Sequence, residues 1–177
     1  NEQDSRFYAK FALVPCLEPS NQQEAYDMMA YGFDLSEKLG EPVVLRVVTR
    51  LAHSRAAVEV TEPMAENPFS PATDAWVLLP GIARKKYAVL LEKQETMMQA
   101  SENSIYNKVE TSSSKTGILA CGIAYNYVKE AIGDDANLVK VSQYPLPEDK
   151  IKALAAGCDE LLVVEDGQPV VEELVKG

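Results

Sequence analysis

The 177-residue chain predicts an α/β protein, and three observations carry that reading. Helical and strand-like apolar patterns alternate from Asp4 to about Val60. The run Val43 to Val48 is apolar in character, as suits a strand covered on both faces. From residue 114 onward, strand and helix signals succeed one another in the order that builds a parallel sheet.

Each element has its own signal. Phe7, Tyr8 and Phe11 recur at helical spacing, and Asp4 in the first turn complements the positive end of a helix dipole, with a surface pair to Arg6 as its other expected part. Leu13 to Leu17 is a short apolar run ended by Pro19, and Ser20 is the expected N-cap of the next helix. Ala25, Met28, Met29, Gly32, Phe33, Leu35 and Leu39 then share one broad helical face, stopped at Gly40. Pro63, Pro68, Pro71 and Pro80 punctuate residues 61–80 without periodicity, which predicts a linker or a surface strap, anchored by Trp76. A helix is expected over Ile82 to Met98, then a polar connection from Thr111 to Lys115.

The last 64 residues predict a compact three-layer module. Its strands are Ile118 to Cys121, Leu138 to Val141 and Glu160 to Glu165. Its helices are Ile123 to Ile132, Glu148 to Ala156 and one after Pro169, with right-handed crossovers between. Three strands make a small sheet, so further strands from the 76–110 region or a partner surface should complete it. The expected organisation is therefore 1–60, a Pro-rich linker over 61–80, and a second domain over 81–177 with its core in 114–177.

Composition bounds the function. With 46% hydrophobic and 25% charged residues the chain is ordinary globular material. A formal net charge of −10 argues against nucleic-acid binding, which needs clustered Lys and Arg. No apolar run approaches the roughly 20 residues that span a bilayer. Cys16, Cys121 and Cys158 lack CxxC spacing or a neighbouring histidine and read as reduced packing thiols, which suits a cytoplasmic protein.

Few residues point to chemistry. Gly117-x-x-x-x-Gly122 lacks the Lys-Ser or Lys-Thr of a phosphate loop, so a tight strand-to-helix turn explains it better. His53 is the single histidine, so a histidine pair and multi-histidine metal sites are excluded; a serine triad would need Ser54 or another serine activated by His53, and no GxSxG elbow exists. Thr49, Arg50, His53 and Ser54 follow the carboxyl end of a strand read as parallel, where α/β folds hold ligands. Arg50 there suits a carboxylate, and His53 a carbonyl; an Arg–Glu pair and a solvated histidine explain the spacing equally well. Glu165-Asp166 reads as a turn, and no catalytic residue or metal ligand is assigned.

Several segments in order resemble the alpha subunit of indolepyruvate:ferredoxin oxidoreductase. They are Asn1-Glu2-Gln3-Asp4-Ser5-Arg6, Pro15 to Ser20, Gln22 to Asp27, Leu45 to Ser54 with its Arg50-x-x-His53, Gly122 to Glu130, Tyr144 to Pro147, and Val163 to Asp166 with Pro169, Glu172 and Glu173. The resemblance implies the middle of such a subunit: the end of a pyrimidine-binding-type thiamin fold, then a module similar to the transketolase carboxyl-terminal domain. It implies that the parent oxidatively decarboxylates an aryl 2-oxoacid such as indolepyruvate to its acyl-coenzyme A, using thiamine diphosphate, magnesium, iron–sulfur clusters and ferredoxin. Arg50 would meet the 2-oxoacid carboxylate with His53 in support, where related enzymes carry Arg-Thr-Ser-His and this chain has Arg50-Leu51-Ala52-His53. Asn1, Gln3 and Arg6 would border the cofactor cleft. The glutamate that activates the cofactor, the diphosphate and magnesium domain, the cluster ligands and the beta subunit would lie outside this stretch. The chain alone would then bind no cofactor tightly and be inactive. A sibling enzyme acting on 2-oxoglutarate or branched-chain 2-oxoacids, or a noncatalytic docking module, are the alternatives.

Overall fold

The computed structural model describes residues 3–62 and 77–176. It is a mixed α/β structure with two mixed sheets, and Asn1, Trp76 and the first three prolines of the expected linker lie outside the described residues.

The first half runs α1 (Ser5–Ala12), β1 (Cys16–Leu17), α2 (Gln22–Leu39), β2 (Val44–Leu45) and α3 (Thr49–His53). Asp4 caps α1, its carboxylate accepting from the Arg6 backbone N–H at 3.0 Å. The aromatic residues of α1 turn away from the core: Ala9 and Arg6 are buried, whereas Phe11 is 90% exposed. For α2 the cap is Asn21, one residue later than expected, because Ser20 instead donates its backbone N–H and hydroxyl to Glu24. Val43 to Val48 forms its ladder through Val44 and Leu45, and Arg46, whose N–H still donates to the Leu17 carbonyl, puts its side chain into a buried ion cluster. Residues 55–62 lie along α2: Gln23 donates to the Glu59 carbonyl and accepts from its N–H, and Tyr26 accepts from Thr61.

The helix expected over Ile82 to Met98 is two, α4 (Pro80–Glu92) and α5 (Gln94–Glu102). The Gln94 amide donates to the carbonyls of Leu13 and Leu90, taking the place of a backbone donor at the junction.

The second half runs β3 (Val109–Glu110), β4 (Thr116–Cys121), α6 (Ala124–Ile132), β5 (Asn137–Val141), β6 (Gln143–Tyr144), α7 (Glu148–Gly157), β7 (Glu160–Val164) and α8 (Val170–Lys176). One sheet has the order β3-β5-β4-β7, with parallel pairs at its centre and β3 as an antiparallel edge. That edge is the additional strand expected from the 76–110 region. Leu119, Cys121, Val139 and Val141 face α7 on one side, and Ile118, Ala120 and Leu138 face α6 on the other.

The other sheet, β2-β1-β6, joins the two halves. Its β1 is parallel to β2 and antiparallel to β6, so a chain continuous from Asn137 to Tyr144 serves both sheets. Ser142 sits at the crossing, where Asn107 takes over the pairing: its Oδ1 accepts from Ser142 and Gln143 N–H at 2.8 and 2.9 Å, and its Nδ2 donates to the Gln143 carbonyl.

Gly122, at the turn from β4 to α6, has φ +50°, and a Cβ there would stand 2.5 Å from Glu18 Cγ. Gly122→Ala should therefore cost about 2–4 kcal/mol from left-handed strain plus overpacking. Gly133→Ala, at φ +60° and ψ −124° with open space around it, should cost only backbone strain, about 1–3 kcal/mol. Urea midpoints of the two variants check the difference; equal losses would remove Glu18 as the cause.

Candidate functional site

The loops that leave the carboxyl ends of β1, β2 and β4 converge. Glu18 and Arg46, just past β1 and β2, form an ion pair, and the Gly122 backbone lies against Glu18. Asn126 in the first turn of α6 donates to the Ser20 carbonyl at 2.6 Å. Arg50 of α3 lies over the Tyr127 ring of α6, 5.4 Å from its centre. In open α/β folds the ground outside strand carboxyl ends is where ligands are held.

Beneath it is a buried ion cluster. Arg6 donates to both Asp4 oxygens, to Glu165 at 2.8 Å, to Tyr144 Oη at 3.4 Å and to the carbonyls of Asp166 and Gln168. Arg46 pairs with Glu18 and Asp4 and donates to the Asp166 carbonyl at 2.7 Å. Tyr144 donates its hydroxyl to Glu18 at 2.7 Å. Asp4 and Arg6 thus pair in the interior rather than on the surface, because Glu165 and two carbonyls from the far end of the chain complete the guanidinium's partners. The turn carrying those carbonyls comes close only because Gly167, at φ +113°, has no Cβ; one there would lie 2.6 Å from Asp4 Oδ2.

Burial would raise the carboxyls of Asp4 and Glu18, and their partners decide the outcome. At Asp4 the bonds and charges of Arg6 outweigh burial and hold the carboxyl below its ordinary range. At Glu18 burial outweighs both arginines and the group is pushed up. Burial also pushes the Cys16 thiol up to about 12, so it is an inert packing group, and Cys121 is raised in the same way. Cys158 is half-buried, and all three thiols are free.

A third buried cation stands beside the first turn of α2. Lys140 pairs with Glu24, donates to Ser20 Oγ at 3.0 Å and lies 4.8 Å from the centre of the Tyr125 ring. Burial depresses Lys140, whereas the Lys140 charge overcomes burial at Glu24 and lowers it.

The residues singled out from sequence fall in different places. Arg50 and His53 are both exposed on α3, which is anchored by buried Leu51. Ser54 accepts from Gln22 at 2.6 Å and donates back to the Leu51 carbonyl, closing α3 as a turn cap. Gln3 is exposed, Arg6 has its guanidinium committed inside the cluster, and Asn1 is outside the described residues.

Comparison with curated proteins gives one consistent relationship. The chain is 39% identical over 99% of its length to indolepyruvate oxidoreductase subunit IorA of Pyrococcus abyssi. It is 42% identical over 97% to that of Archaeoglobus fulgidus. The chain is a relative of the IorA subunits. It spans about 29% of the length of these IorA relatives. No protein-family model matches it.

Glu18, Arg46, Tyr144, Lys140 and Glu24 escaped the sequence reading. A signal was present for two of them: Arg46 and Lys140 each interrupt an apolar strand run, a position where a charge is buried and must be paired. Asp4 and Glu24 have native pKa values below the unfolded references of 3.8 and 4.5. Their contribution is present above about pH 4.5 and is lost as pH falls through the lower native values. Urea midpoints should drop across that range, and Glu24→Gln should make the acid decline shallower; an unchanged slope would place the linkage elsewhere.

Proposed function

We propose that this chain forms one wall of the 2-oxoacid crevice in an indolepyruvate oxidoreductase subunit. The parent reaction on this reading is oxidative decarboxylation of an aryl 2-oxoacid to its acyl-coenzyme A, with ferredoxin taking the electrons, in a cytoplasmic enzyme that includes a beta subunit. The observation that supports it is Arg50 at the edge where the loops after β1, β2 and β4 meet, in a chain matched along 99% of its length by IorA. Residues 1–60 would close a pyrimidine-binding-type thiamin fold, and 81–177 would be the transketolase-like module.

Arg50 holds the substrate carboxylate. Its guanidinium rests on Tyr127 and is exposed, so its donors are open to a planar bidentate anion. His53, one turn on along α3, directs a ring N–H to the neighbouring carbonyl. Gln3, exposed ahead of α1, borders the cofactor cleft. Arg6 serves as a positioning residue, because its donors hold the cluster that supports the crevice floor.

Thiamine diphosphate supplies an ylid when bound to such an enzyme. The described residues of this chain do not fit it as a seat. The carboxylates of Asp4, Glu18 and Glu165 are taken by Arg6 and Arg46, and no cluster of three His, Cys, Asp or Glu suited to a metal occurs among the described residues. The diphosphate, magnesium and iron–sulfur clusters are therefore assigned to the rest of the enzyme.

In the complete enzyme, Arg50→Ala should raise KM for indolepyruvate about tenfold or more while changing kcat little, the loss of one charge-assisted contact. An unchanged KM with poor expression would make Arg50 a structural partner of Tyr127. Calorimetric titration of this chain with thiamine diphosphate and magnesium should give no binding tighter than about 1 mM, roughly −4 kcal/mol. Submicromolar binding would overturn the assignment of the cofactor seat to other segments.

A further inference from the structure

A cavity of about 460 Å³ opens between α1, α7 and α8, with neither Arg50 nor His53 in its lining. Its size is that of a small-molecule pocket. Ala9, Cys16, Ile151, Leu161, Val170 and Leu174 give it an apolar lining. The polar side chains that reach its inner wall are already engaged: Arg6 and Tyr144 in the ion cluster, Gln94 on the carbonyls of Leu13 and Leu90. Nothing there is left to orient a polar ligand body.

The mouth is different. Lys10, Lys152 and Glu148, all exposed, are its charged lining, and Glu148 pairs with Lys152 at 2.8 Å. Lys10 is exposed and has no ion-pair partner among the described residues. An apolar interior with one uncompensated cation at its entrance matches a ligand that is apolar along its body and carries a single negative charge at one end.

We propose that this cavity binds an apolar monocarboxylate, its alkyl or aryl body among the side chains of α7 and α8 and its carboxylate at Lys10. Arg6 and Tyr144 back this cavity from the ion cluster, whereas Arg50 and His53 take no part in its lining, so ligand binding here does not depend on the proposed reaction.

The test titrates the chain with decanoate by calorimetry and follows backbone amide shifts by NMR. Decanoate should saturate one site, with the largest shifts at Ala155, Leu161 and Val170, and decylamine, with a similar tail and opposite charge, should bind at least about tenfold more weakly. Ala155, exposed at the mouth, can be enlarged without entering the core: Ala155→Trp should weaken decanoate about tenfold or more by filling the entrance. Lys10→Glu, a surface change, should weaken it by a similar factor while leaving the amide spectrum away from the pocket unchanged. Failure to saturate, equal binding of decylamine, full affinity in either variant, or shifts centred elsewhere would each overturn the proposal.

Discussion

Burial of two arginines against three carboxylates is the constraint on which the arrangement of this chain depends. Arg6 and Arg46 are drawn from the first helix and from the end of β2, and Asp4, Glu18 and Glu165 from three separated segments. Removing one partner of such a buried pair typically costs about 3–5 kcal/mol, because the remaining charge is stranded away from water. No single element can therefore shift without exposing the others. The cluster holds the loops after β1 and β2 at fixed separation, and its carbonyl contacts bring in the turn at 166–168.

The clamp at Lys140 works by the same physics with one cation. Lys140 fixes Ser20 and Glu24 at the start of α2 while its stem lies in the β4–β5 sheet, so the first turn of α2 is registered against the second half of the chain. Between the two clamps, the Gly122 backbone occupies space that a side chain would deny to Glu18. The strand-end loops near Arg50 are thus held by charges largely withdrawn from solvent. The binding role proposed for Arg50 asks of the surface only what this support makes possible: an exposed guanidinium held over an aromatic ring.

Much of the architecture was legible because it comes from local pattern. Part of the α2 face (Met28, Leu35 and Leu39, with Met29 and Phe33 turned outward), the Gly40 stop, the strand-helix alternation after residue 114 and the need for an extra edge strand all arise from periodicity and turn chemistry acting over a few residues. What escaped depended on distant partners. Ser20 looked like a cap, and only the approach of Lys140 from another sheet explains why it donates to Glu24 while Asn21 caps. Asp4 looked like a surface acid because nothing nearby in sequence foretells that Arg46, Gln168 and the Asp166 carbonyl surround it and Arg6. The outward aromatic face of α1 and the split between α4 and α5 were likewise decided by tertiary contacts. For the crevice, position after a strand end pointed to Arg50 and His53, whereas the supporting charges were hidden inside apolar runs.

The crossing at Ser142 has a mechanical meaning. A strand that passes from one sheet to another is a natural place for a pivot, since the ladder of each sheet ends there. Here the Asn107 side chain stitches both sides of the junction, and its amide group also bonds Ser101 in α5. Ser101 in turn donates to the carbonyls of Gln143 and Pro145. The would-be pivot is thereby welded, and any opening or closing around the crevice must be borne by the peripheral segments, with the two sheets travelling as one plate.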